Sequence, residues 1–254
     1  MGYFTYVAPN GVTLHNYTTT PDKIKLLNYE KQGMLTSSKY YGINAGWFNM
    51  ETGPSDRRTL TIAYYNGKPV GPTDTWGGST IPRDGTYNDT GRQAISYIGG
   101  SFQYYTSIEN AKDMNGITNT GTWAQGGMAL NLGKESWTAD IAKYGYSSGT
   151  AACAWSAMVV DLRSTNKVVY LIVAKDPKGG TSTKLSIKDF RDAINKMLNI
   201  TDSGSTLASN YRALLLDGSA SSQMRTKDGN TIVTVDSKAV EPRAVCQILY
   251  YDQD

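Results

Sequence analysis

Lys167-Val168-Val169-Tyr170-Leu171-Ile172-Val173-Ala174, then Ser186-Ile187-Lys188-Asp189-Phe190-Arg191-Asp192-Ala193-Ile194-Asn195-Lys196-Met197, then Tyr211-Arg212-Ala213-Leu214-Leu215-Leu216 stand in that order along the chain. The first and third runs are continuous apolar stretches of strand length, the form a strand takes when both faces of its sheet are covered. The middle run has helical period: Ile187, Phe190, Ile194 and Met197 share one face, while Lys188, Arg191, Asp192 and Lys196 take the other. Ser186 caps it, with Asp189 three residues on as the capping-box partner, and Asn199 with the polar run 201–205 ends it. Strand, helix, strand predicts a crossover with parallel strands, right-handed by the usual rule.

Outward from this unit the chain reads mostly as β-structure. Ala157 to Asp161 is a strand joined to the 167–174 strand by the tight polar turn 161–166. Residues 59 to 70 form a hairpin about Asn66-Gly67, a type I′ signal. Short strands are expected at 94–98, 127–132, 231–235 and 244–250, and a weaker helix at Asp22 to Lys31 behind Pro21. Residues 71–92, rich in Gly and Pro, read as a long exposed loop. The expected class is α+β: one domain over residues 1–254, with a mixed, mostly β sheet, one βαβ crossover and few helices, and with 1–40 as an N-terminal strand and helix segment.

Composition narrows the chemistry. The 254 residues hold 25 Lys plus Arg against 22 Asp plus Glu, and the resulting +3 is too small to argue for a nucleic-acid polymer. No run approaches ~18 apolar residues, so no membrane span is expected. The first six residues lack a basic and apolar leader pattern, which makes cytoplasm the default expectation. Cys153 and Cys246, both in apolar strand-like runs, read as small buried hydrophobes, bridged only if their strands are neighbours. Two cysteines and the single histidine, His15, furnish no standard zinc site and leave a histidine-based triad without support. His15 sits in an alternating run and reads as a strand histidine. No metal or cofactor is expected, and catalysis must rest on carboxylates, amides, hydroxyls and arginines.

Three segments carry such groups. Leu214-Leu215-Leu216 runs into Asp217-Gly218-Ser219-Ala220-Ser221-Ser222, an acid at a strand end followed by small residues whose amides are free to face an anion; the alternative is an Asp capping a tight turn. Gly42-Ile43-Asn44-Ala45-Gly46-Trp47-Phe48-Asn49 puts amides beside aromatic rings, the materials of a carbohydrate site or of a buried strand. Gln125-Gly126-Gly127-Met128-Ala129-Leu130 pairs glycines where backbone approaches closely.

In that order these segments resemble the phosphodiester glycosidase family, over roughly residues 40 to 250. Asn44-Ala45-Gly46-Trp47-Phe48 is similar to the family's Asn-Gly-Gly-Phe-Phe-like motif, and Gly126-Gly127-Met128-Ala129-Leu130 to its Gly-Gly-Pro-x-Leu segment. Leu216 to Ser222 is similar to its Leu-Asp-Gly-Gly-Gly-Ser-Ser hallmark, and Glu241-Pro242-Arg243-Ala244-Val245-Cys246 to its last strand. Two departures stand out: Trp155 occupies the place of a family arginine, and Ser219 and Ala220 replace two hallmark glycines.

The resemblance implies hydrolysis between an anomeric carbon and a phosphate oxygen. It implies Asp217 as the catalytic carboxylate and Asp176, ahead of Asp161, as the second. Asn44, Gly46, Asn49, Gly126, Gly127, Gly218, Ser219, Ser221, Ser222, Arg225 and Arg243 are the implied substrate contacts, with Arg92 a further candidate for the phosphate. The expected partner is a small-molecule or glycan phosphodiester, and the oligomeric state is open. The rival reading is a binding module that holds a glycan or nucleotide-like phosphodiester without turnover, and a Tyr-, Gly- and Asn-rich chain also suits a bacteriophage or virion protein.

Overall fold

The hairpin expected around residues 161–166 organises the molecule. In the computed structural model, Trp155–Asp161 pairs antiparallel with Val168–Ala174, Trp155 opposite Ala174 and Asp161 opposite Val168. The structure describes residues 1–29, 33–48, 59–71, 84–88, 92–144, 153–163, 167–174, 185–208, 210–218, 221–233 and 244–251. In chain order the strands are β1 (Tyr3–Val7), β2 (Thr13–Thr19), β3 (Ile24–Asn28), β4 (Gly42–Asn44), β5 (Ala63–Tyr65), β6 (Lys68–Pro69), β7 (Gln93–Ile98), β8 (Ser101–Tyr105) and β9 (Trp123–Ala129). They continue with β10 (Trp155–Asp161), β11 (Val168–Ala174), β12 (Tyr211–Leu215), β13 (Gln223–Arg225), β14 (Thr231–Val233) and β15 (Gln247–Tyr251); the α-helices are α1 (Trp137–Ala142) and α2 (Ile187–Met197).

Ten strands form one sheet along the path β1-β2-β11-β10-β12-β9-β5-β6, with β7 and β8 joined to it through β9. Five form a second sheet in the order β14-β13-β4-β15-β3. Strand alternation explains the layers. Val169, Leu171, Val173, Met158, Val160, Leu214 and Leu216 point to the second sheet and pack with its Ile24, Leu26, Ile43, Met224 and Leu249. Ile172, Ala174, Ala157, Val159, Ala213 and Leu215 point the other way, onto Ile187, Phe190, Ala193 and Ile194 of α2. The central strands are apolar throughout because helix covers one face and sheet the other.

The crossover departs from its expected form. β11 and β12 each pair antiparallel with β10, so they run parallel to one another with β10 between them. Every described strand pair is antiparallel, and the mixed sheet gives way to a mostly β, antiparallel architecture.

Two local expectations also change. Asp22 to Tyr29 is no helix, and residues 30 and 31 lie outside the described residues: a 3-10 turn at Pro21–Lys23 leads into β3, where Ile24 and Leu26 alternate inward and the backbone pairs with β15. Residues 72–83 and 89–91 of the expected exposed loop lie outside the described residues, but Thr86 and Asn88 within it are buried. The hairpin at Asn66-Gly67 forms as expected, both residues taking positive φ (52° and 78°). Ser186 caps α2 by accepting from the Asp189 amide at 3.0 Å.

Arg191 was expected on the outer face of α2 and is instead fully buried. Its guanidinium donates to both oxygens of Asp202 at 2.7 Å and to the backbone oxygens of Leu130, Asn131 and Lys134, and lies 4.8 Å from the Trp137 ring centroid. The connections after β9 and α2 fold over this flank of the helix and supply the acceptors. Cys246 is buried and Cys153 is half-buried. His15 lies on β2, 2.8 Å through Nδ1 from the Tyr3 hydroxyl. Among the described residues no helix is long and apolar enough to cross a membrane.

Candidate active site at the end of β12

β12 ends where β10 begins, because the two are antiparallel: Ala157 faces Leu215, and Leu216 donates its amide to Ser156 at 2.9 Å. Asp217 follows, with 8% of its surface exposed. Its backbone is stitched to the other sheet at two points. The Asp217 amide donates to Ala45 O at 3.1 Å, and the Asn44 side-chain Nδ2 donates to Asp217 O at 2.7 Å. The Asn44 Oδ1 accepts from the Ser156 hydroxyl at 2.6 Å and from the Gln223 amide at 3.1 Å. One buried amide therefore holds β4, β10, β13 and the residue after β12 together. The Asp217 carboxylate accepts from the Gly218 amide through Oδ1 at 3.0 Å.

This spends Asn44. It is 1% exposed and its groups are turned onto the chain, so it positions Asp217 and is not placed as a ligand for sugar hydroxyls. Ser156 was missed in the sequence; the signal was a lone hydroxyl inside the apolar run Trp155-Ser156-Ala157-Met158.

The glycines prove to be places of close packing. A Cβ on Gly46 would lie 2.0 Å from Thr61 Oγ1 and 2.9 Å from Gln125 Nε2. β9 keeps β7 along one edge, but its other edge changes partner from β5 to β12 at Gly126-Gly127. There a Cβ on Gly126 would lie 2.1 Å from Asn88 Oδ1, and one on Gly127 would lie 2.7 Å from Leu215 O. Gly46, Gly126 and Gly127 thus serve the crossing of strands. Gly126→Ala should lower the unfolding free energy by about 1–3 kcal/mol through overpacking, read by urea denaturation. The folded fraction should keep its substrate KM.

Gly218 lies against Trp155: its Cβ would sit 2.7 Å from Trp155 Cε3. Trp155 is 2% exposed and its indole N–H donates to Leu185 O at 2.8 Å. An uncharged ring, pinned at its edge, thus packs against the residue after Asp217. Ser221 and Ser222 are fully buried, Ser221 donating its amide to Gly218 O at 3.2 Å.

The remaining expected residues fall as follows. Asp161 sits at the opposite end of the sheet, opposite Tyr211, and is paired with Arg163 at 2.7 Å. Six residues of strand at ~3.3 Å each separate that level from Asp217, about 20 Å, which removes Asp161 as a second carboxylate. The error followed from the crossover: with β10 inserted and reversed, its carboxyl end lies at the far side. β11 leaves the sheet at the Asp217 end, after Ala174, while Asp176 lies outside the described residues, as do Asn49, Ser219 and Arg243. Arg225 is half-buried on β13, two residues from Gln223, with its guanidinium 5.0 Å from the Tyr41 ring centroid. Arg92 stands between Trp47 and Tyr144, 5.5 and 5.9 Å from their ring centroids. Trp47 is three residues beyond Asn44, so Arg92 flanks the segment that holds Asp217.

No family model matches the sequence, and no curated protein matches it. Among solved structures, the catalytic domain of zebrafish N-acetylglucosamine-1-phosphodiester alpha-N-acetylglucosaminidase, auto-inhibited by its pro-peptide, is similar with a TM-score of 0.59 at 12% identity, over 99% of this chain and 82% of that one. An exported-protein candidate of Burkholderia pseudomallei aligns with a TM-score of 0.38 at 16% identity, over 99% of this chain and 57% of that one. The zebrafish enzyme domain and this chain are alike in fold, a distant structural relationship.

Proposed function

We propose that the chain is a hydrolase that cleaves the bond between a sugar's anomeric carbon and the phosphate oxygen of a phosphodiester, with Asp217 as its carboxylate. One observation carries the reading: in a fold like that of a phosphodiester glycosidase domain, an aspartate at a strand end of one sheet is tied to the other sheet by two hydrogen bonds of its own backbone. A carboxylate held that firmly suits a reaction in which positive charge develops at one carbon.

The reaction balances without metal or histidine. The C1–O bond breaks, its electron pair leaves on the phosphate, and a water oxygen ends on C1. Phosphate is a good leaving group and needs little protonation. Asp217 stabilises the oxocarbenium-like centre, as nucleophile or as base toward the water. Arg225 and Arg92 are the arginines proposed to offset the phosphate charge, with Arg243 and the Gly218, Ser219, Ser221 and Ser222 turn as further proposed contacts. Asp176 and Asn49 complete the proposed set, as second carboxylate and sugar ligand.

A second reading is favoured by Trp155, which sets an uncharged indole where the resemblance places an arginine. On that reading the site binds a glycan or phosphodiester without turnover. Incubating the chain with sugar-1-phosphodiesters, nucleotide sugars and teichoic-acid fragments, and following free sugar by NMR, separates the two. Release of sugar from any of them supports the hydrolase, whereas saturable binding with no product supports the binding module.

A further inference from the structure

The large sheet branches at β9 and has three edge strands, β6, β8 and β1. β6 is two residues long and carries Lys68 and Pro69, the usual devices that stop a sheet edge from recruiting another strand. β8 pairs only with β7, and its aromatic side chains are half-buried. β1 reads Tyr3-Phe4-Thr5-Tyr6-Val7, with no charge, glycine or proline. The large hydrophobic side chains exposed among the described residues all lie here: Met1 at 76%, Phe4 at 38% and Val7 at 67%. Among the described strands β1 pairs only with β2.

The hydrogen-bond phase shows which groups face outward. Gly2 O accepts from the Thr18 amide at 3.0 Å, and the Ala8 amide donates to Val12 O at 2.9 Å. Even-numbered residues therefore bond inward to β2, and the amides and carbonyls of Tyr3, Thr5 and Val7 point to the open edge. Side chains alternate as well. Tyr6 packs toward the helix-covered core, and Tyr3 toward the core between the sheets.

We propose that β1 pairs antiparallel with β1 of a second copy of this chain, about a two-fold axis at Thr5, which joins two sheets edge to edge. In that register Thr5 faces Thr5 of the second copy as a hydrogen-bonded pair, so the outward-facing groups meet in phase. Phe4 then lies opposite the second copy's Tyr6 on one face, and Tyr3 opposite its Val7 on the other. Each exposed apolar side chain gains an aromatic or aliphatic cross-strand neighbour, and both cores continue across the axis. Residues 1–10 contain no Asp, Glu, Lys, Arg or His, so a strand laid against itself sets no charged side chains of like sign opposite one another. The pairing is isologous and closes at two copies.

Light scattering on the eluting full-length chain, over a range from low micromolar to the highest soluble concentration, tests this. The expected mass is twice the 27.7 kDa of one chain. Thr5→Pro removes one outward amide while leaving the β1–β2 bonds, and Val7→Lys places a charge on the exposed edge; each should halve the mass at every concentration. Circular dichroism and melting temperature establish that the variants are folded, and Val7→Lys stands alone if Thr5→Pro is not. A wild-type chain of single mass throughout, a dimer that survives folded Val7→Lys, or an open-ended series of masses each overturns the proposal. None of these residues touches the Asp217 site, so the result is independent of the catalytic reading.

Discussion

Arg191→Ala is expected to lower the unfolding free energy by about 3 kcal/mol, the low end of the cost of breaking a buried ion pair, because Arg191 is buried while Asp202 keeps 30% of its side chain exposed. The side chain does three things at once. It neutralises Asp202 through two 2.7 Å bonds and satisfies the carbonyls of Leu130, Asn131 and Lys134. It also covers the Trp137 ring. Alanine leaves three backbone acceptors and a carboxylate short of donors beside a cavity the size of a guanidinium.

The same pair has a pH signature. Burial pushes the Asp202 carboxyl up, but hydrogen bonds and charge from Arg191, with Asn195 and the Gly133 backbone, outweigh it and hold the group below its ordinary value. A carboxyl lowered in the folded state contributes stability that is present above its unfolded pKa and is lost as pH falls through the folded one. Urea unfolding from neutral to acid pH should therefore show a declining acid limb in the wild type. Arg191→Met should be less stable at neutral pH and should show a flatter limb. An unchanged limb in the variant would assign the acid sensitivity elsewhere.

Asn44→Ala carries the second large effect. It strands the Ser156 hydroxyl, the Gln223 amide and Asp217 O, all at buried residues, and an unpartnered buried group costs about 1–3 kcal/mol. The expected loss is about 2–4 kcal/mol of stability, since neighbouring groups partly re-pair. Asn44 touches no reacting atom; its effect on turnover runs through Asp217. A displacement of about an ångström at a reacting group costs on the order of 10²-fold in rate, so kcat should fall by about that factor while KM changes little. Ser156→Ala removes one of the three bonds and should give a smaller fall in the same direction. If Asn44→Ala raised KM with kcat unchanged, Asn44 would be a substrate ligand after all.

What the sequence disclosed and what it hid follow one physical line. Local rules were legible: the Asn66-Gly67 turn, the Ser186 cap, and the apolar runs of β10, β11 and β12 each depend on a few neighbouring residues. Partner choice was not. Nothing within 167–216 says that β10 enters between β11 and β12, because that is decided by hairpin pairing against crossover pairing, and the one insertion moved Asp161 to the wrong end of the sheet. Arg191 was misplaced because a charge goes inward only when distant loops bring it acceptors, here 130–134 and 202. Ile24 and Leu26 satisfy either a helix or a strand over so short a run, and β15 decided for the strand. Glycines that admit a neighbouring strand look the same in sequence as glycines that admit a ligand, and at Gly46, Gly126 and Gly127 the close atoms are the chain's own. The place of Asp217 at the end of an apolar strand was legible from Leu214-Leu215-Leu216 alone.

The central claim is that Asp217 acts on a sugar phosphodiester, and its most direct measurement is the rate at which wild type and Asp217→Asn release sugar from the sugar-1-phosphodiester that the wild type cleaves fastest. Turnover by the wild type and its loss in Asp217→Asn are expected, with the melting temperature preserved because the backbone bonds to Asn44 and Ala45 remain. Full turnover by folded Asp217→Asn would contradict it.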